Sequence, residues 1–144
     1  MNGSRGFSLL ELLVVLLIVG LLSGLSVAWL NAGRSAALQA LDGLAAQVQL
    51  HAAQARHSGQ LLGLRWNGRQ PEFVRLEQQR WVADPWRPVA WPTELRADWP
   101  AGTVPPVIFT PDGVVAPRLK WQWPDGQQHW HWLSDGRLAR AEVP

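Results

Sequence analysis

The chain has 144 residues, a formal net charge of +2, no cysteine and no tyrosine, but ten tryptophans. Without cysteine it can form no disulfide, thiol nucleophile or thiolate metal site, and its length suits one small domain. Past Gly59, ten Lys/Arg interleave with nine Asp/Glu, so no basic track of the kind that follows a phosphate backbone is present, which argues against nucleic acid as a partner.

The first element is an apolar run. Arg5 and the initiating amine precede it, and Leu12 to Gly33 contains no charged residue. About twenty apolar residues span a bilayer, and a short positive flank stays on the cytoplasmic side, so the remainder is expected to face outward. One acid, Glu11, sits inside the run. A charge at the centre of a membrane helix costs roughly 2.5–3.5 kcal/mol on insertion scales, so it needs a partner or a task. Three readings compete. A cleaved secretory signal would use Ser26-Val27-Ala28 as its small-x-small site and leave Trp29 as the mature N-terminus; an ordinary signal anchor leaves Glu11 unexplained; a short leader ending at Gly6 would be cut before Phe7 and keep the helix.

The stretch RGFSLLELLVVLLIVGLL resembles the class III signal of type IV pilins and type II secretion pseudopilins. A short basic leader ends in Gly6, an aromatic residue follows at Phe7, and Glu11 is the fifth residue of the mature chain. The resemblance implies that a membrane-embedded prepilin peptidase cuts between Gly6 and Phe7 and methylates the new amine, giving N-methylphenylalanine at Phe7. Cleavage would create a cation one helical turn from Glu11, and in low dielectric each charge offsets the other's desolvation. The pair can close within one chain at i, i+4 or between neighbouring subunits, where it would set axial register. The resemblance implies the second, which makes Glu11 an assembly residue.

The second element is an amphipathic helix. Leu38, Leu41, Leu44/Ala45, Val48, Ala52 and Ala55 recur at three- and four-residue steps, with Gln39, Asp42, Gln49, Gln54 and Arg56 between them. No proline interrupts Phe7 to Gly59, so the apolar and amphipathic halves are expected to form one helix. Gly20 and Gly24 stand in a G-x-x-x-G arrangement that permits close helix approach. Gly59 is a plausible C-cap after Arg56 and His57. His51 and His57 share no face and read as solvated helix residues.

Past Gly59 the period changes from 3.6 to 2. Leu61 to Trp66 and Glu72 to Glu77 read as a hairpin around NGRQP, and Arg80 to Ala83 extends it. Asp84 to Pro106 is rich in proline and reads as an ordered loop or edge strand pinned by its rings. Within it Trp86, Trp91 and Trp99 are candidate exposed partner contacts, because aromatic residues dominate interface energetics. VIFTPDGVVAP gives a strand, a turn and a return; LKWQWPDGQQHWHWLSDGRLARAEV gives three strands. Leu119, Trp121 and Trp123 lie on one face of the first of these strands and Trp130 and Trp132 on one face of the second, and apposed across the hairpin they are expected to form a cross-strand aromatic ladder. His129 and His131 point together to the far side but lack a third metal ligand. The best basic cluster for a DNA-contacting alternative is Arg118, Lys120, Arg137 and Arg140.

The sequence therefore predicts an α+β, pilin-like chain: a leader over 1–6, a transmembrane and assembly helix over 7–30, an amphipathic half over 31–59 and a periplasmic antiparallel β-domain over 60–144. No nucleophile with its base, catalytic carboxylate pair or phosphate loop is visible, so neither an enzyme nor a cofactor or metal is expected. The segment LAAQVQLHAAQARHSGQLLGLRWNG, then FTPDG, then a terminal Asp-Gly strand pair, is similar to the H-type minor pseudopilins and related minor pilins. That resemblance implies a type II secretion pseudopilus subunit in the bacterial inner membrane. Its implied partners are other pseudopilins, the prepilin peptidase, an inner-membrane secretion platform and exported protein substrates. A minor pilin of a type IV pilus is the alternative, and a secreted Trp-rich binding domain a more distant one.

Overall fold

A computed structural model describes residues 8–143, and for residues 27–35 the backbone alone. The Gly6–Phe7 processing site lies outside the described residues, as does the side chain of Trp29. Two compact units divide the chain, Met1–Gly33 and Arg34–Pro144. Helix α1, Leu9–Ser58, contributes to both.

In the first unit the helix is apolar on every side. The window Leu9–Ser26 has a mean hydropathy of 2.5 and none of it is buried, so it is long and apolar enough to cross a membrane. Leu9, Leu17 and Leu22 stand exposed on different faces of it.

In the second unit the helix is one-sided. Ala37, Leu41, Leu44, Ala45, Val48 and Ala55 are buried, while Gln39, Asp42, Gln49, Gln54 and Arg56 face outward. Gly59 closes it with φ +71°, and its N–H donates to the Ala55 carbonyl at 3.0 Å. Only glycine takes that left-handed position without strain, and Arg56 and His57 in the last turn complement the helix dipole.

Among the described residues nine strands follow, all antiparallel: β1 Leu62–Trp66, β2 Pro71–Glu77, β3 Arg80–Ala83, β4 Arg96–Ala97, β5 Val107–Thr110, β6 Gly113–Val115, β7 Leu119–Trp123, β8 Gly126–Trp132 and β9 Leu138–Val143. They form a five-stranded sheet in the order β3-β2-β1-β5-β6 and a four-stranded sheet in the order β4-β7-β8-β9. The buried faces of both sheets and of the helix share one core, with Leu64, Phe73, Phe109, Trp121 and Trp130 essentially excluded from solvent. Central pairing of β1 with β5 places Gly63 opposite Ile108. A Cβ at Gly63 would stand 2.6 Å from the Pro105 ring, so glycine is what lets the proline-rich segment lie against β1. Beside it Arg65 and Glu72, directly paired across β1 and β2, form a largely buried ion pair at 2.5 Å.

The proline-rich segment is pinned as expected, and its one piece of ladder is β4, two residues at the edge of the smaller sheet. The aromatic ladder needs correction. Trp130 faces Leu119, Trp121 faces Gln128, and Trp123 faces Gly126, whose missing side chain leaves room for the indole. The β7–β8 turn sets this register, so Trp121 and Trp130 meet on the diagonal, edge to face at 5.6 Å, while Trp132 lies beyond β7 and pairs with Leu138. His51 is also corrected: it is 7% exposed and stacked flat on Phe73 at 3.8 Å, because the helix turn that carries it lies over β2.

Candidate processing and assembly site

Glu11 opens the first unit. Ser8 precedes Leu9 as the N-cap: its hydroxyl oxygen accepts from the Glu11 N–H at 3.1 Å, and the Glu11 carboxylate accepts from the Ser8 N–H at 3.4 Å. The Leu12 N–H donates to the Ser8 carbonyl at 3.0 Å. This is a capping box, S-x-x-E, in which two otherwise unpaired donors at the helix start are satisfied reciprocally. A carboxylate in the first turn is further favoured by the helix dipole. Glu11 thus has a local partner in the uncut chain. Ser8 is the functional residue that sequence reasoning missed, although Ser8-Leu9-Leu10-Glu11 spells the motif. The Glu11 side chain is otherwise exposed, and a neighbouring cation could reach it.

The other expected contact residues lie in the second unit. Trp86, Trp91 and Trp99, the candidate partner contacts, are half-buried against the core, so only part of each ring is open to a partner. Trp86 meets Phe73 edge-on at 5.2 Å; Trp91 and Trp99 meet Trp121 at 5.5 and 4.9 Å. The Trp91 indole N–H donates to the Leu95 carbonyl at 3.0 Å, closing the segment on itself. The segment exposes Arg87, Val89 and Ala90, with Val89 fully open to solvent, and walls a groove of about 600 Å³ against the helix face carrying Ala40, Gly43 and Gln47.

The basic cluster is largely neutralised by local acids. Arg140 Nη1 lies 2.7 Å from Asp42 Oδ1, Arg137 Nε 2.6 Å from Asp135 Oδ2, and Lys120 Nζ 3.6 Å from Asp98 Oδ2. Arg118 is exposed. The Arg137 backbone N–H and guanidinium together hold the Asp135 carboxyl below its ordinary value. His129 and His131 are exposed on the outer face of β8, and no group of three or more His, Asp or Glu residues gathers among the described residues.

Comparison with known proteins bears on both units. Residues 1–27 match the prokaryotic N-terminal methylation motif. No curated protein matches the chain. Among solved structures, the minor pseudopilin EpsH from the type 2 secretion system of Vibrio cholerae is similar, with a TM-score of 0.57 and 19% sequence identity over 74% of this chain and 96% of that one. The chain therefore carries a prokaryotic N-terminal methylation motif on an α+β, pilin-like fold of the kind seen in a minor pseudopilin.

Proposed function

We propose that the chain is a minor pseudopilin of type II secretion. The observation that carries this is the conjunction of a methylation motif over residues 1–27 with Glu11 at the head of a wholly unburied apolar helix. Prepilin peptidase cuts between Gly6 and Phe7 and methylates the Phe7 amine. The helix holds the subunit in the inner membrane with its β-sheet unit in the periplasm. Packed against other pseudopilins on the inner-membrane platform, it becomes part of a short filament that drives folded proteins outward. Its work is mechanical: Glu11 exchanges its Ser8 partner for a charged N-terminal amine, and that pairing sets helix register. Val89 and the exposed edges of Trp86, Trp91 and Trp99 contact neighbouring subunits. The likeness of the fold to that of EpsH, over 74% of this chain, supports the minor-pseudopilin reading over a signal-cleaved secreted domain.

The test is the intact mass of the protein extracted from membranes after co-expression with a prepilin peptidase. Loss of residues 1–6 plus one methyl group, abolished by Gly6→Ala, is the expected result. A mature chain starting at Trp29, or no cleavage, would sink the proposal.

A further inference from the structure

His51 is a buried titratable group that the assembly role does not use. Its Nδ1 lies 2.8 Å from the Gln47 carbonyl oxygen, which can only accept, so Nδ1 carries a proton. Its Nε2 lies 3.8 Å from Asp84 Oδ2, a close ion-pair distance but too long for a hydrogen bond. Neutral His51 turns a lone pair towards that carboxylate; the imidazolium turns an N–H. Of the elements packed on the ring, α1 offers the Gln47 carbonyl and β2 the face of Phe73. Arg87, the nearby cation on the 84–87 segment, donates instead to the Asp84 and Trp86 carbonyls at 2.7 and 2.8 Å.

Asp84 also organises the residues after it. Its Oδ1 accepts from the Trp86 N–H at 3.0 Å, and its own N–H donates to the Phe73 carbonyl at 2.8 Å. Trp86 then begins the segment that walls the groove opposite Gly43 and Gln47.

From this geometry we propose that His51 and Asp84 form a proton-operated latch that fastens the Asp84–Pro92 segment to α1, closed when His51 is an imidazolium and open when it is neutral. Closing draws Nε2–H onto the carboxylate as a charge-assisted hydrogen bond. Opening leaves lone pair against carboxylate and frees Asp84 and Trp86 to shift together, widening the groove. The latch concerns the second unit alone and stands whether or not the chain assembles into a filament.

The test uses the full chain, isotope-labelled in detergent micelles, with the His51 ring and the Trp86 amide followed through a pH series from about 5 to 8. The expected result is that the Trp86 amide shifts with the same midpoint as the His51 ring. The coupling should be lost in Asp84→Asn, the Trp86 shift absent in His51→Gln, and both kept in His57→Gln, an exposed position on the same helix. A Trp86 amide that stays still while His51 titrates, an equal shift in His51→Gln, or a His51 ring that never titrates would each overturn the latch. Should Asp84→Asn fail to fold, wild type against His51→Gln, with His57→Gln as control, decides the matter.

Discussion

At the scale of the residue, an acid that looked anomalous in an apolar run is half of a capping box. Ser8→Ala removes the acceptor for the Glu11 N–H and should cost about 1 kcal/mol at the helix start. Amide exchange over Leu10 to Leu12 should therefore quicken about fivefold, with Ser8→Thr close to wild type. Asp135 offers a second check. Its folded carboxyl is depressed, so its stabilising pairing with Arg137 is fully present above the unfolded value and is lost as pH falls through the lower, folded one. The Arg137 amide, bonded to Asp135 Oδ1 at 3.0 Å, should keep its protection at the ordinary carboxyl value of 3.8 and lose it only in stronger acid. In Asp135→Asn that acid-dependent loss should vanish. Neither partnership needed the tertiary structure, since both lie within three residues of chain, whereas the His51–Asp84 contact spans the fold and left no local signal.

At the scale of the element, the hairpins were legible because their turns are short and their strands alternate. The β2–β3 turn is the instructive case. Gln78 and Gln79 both have positive φ, 50° and 65°, the geometry of a type I′ turn that asparagine and glycine take with least strain. Replacing the pair with Asn-Gly should raise stability by roughly 1–2 kcal/mol, read as a higher urea midpoint with an unchanged slope. Strand β4 was hidden among prolines because two residues carry no period. Its pairing with β7 is fixed by Asp98, whose N–H donates to the Lys120 carbonyl, and by Trp91 folding the segment back on Leu95.

At the scale of the whole molecule, the core of the second unit turns on one ring. Trp121 is fully buried and meets Trp66, Trp91, Trp99 and Trp130, so it joins the smaller sheet, the larger sheet and the proline-rich segment. Trp121→Ala should cost about 3–5 kcal/mol, seen as a fall in the urea midpoint followed by tryptophan fluorescence. Val89→Ala, at a position fully open to solvent, should leave stability within about 0.5 kcal/mol of wild type in the same titration. The sequence by itself determined the methylation motif, the apolar helix, the buried stripe from Leu41 to Ala55 and the order of hairpins, because each is written in spacings a few residues long. Only the tertiary structure decided that the strands divide between two sheets, that β1 pairs with β5 across the proline-rich segment, that His51 is buried, and that Trp86, Trp91 and Trp99 spend their rings on the core. Alternation says which face of a strand is apolar but not which distant strand or ring will cover it; that choice belongs to register and packing between residues far apart in the chain.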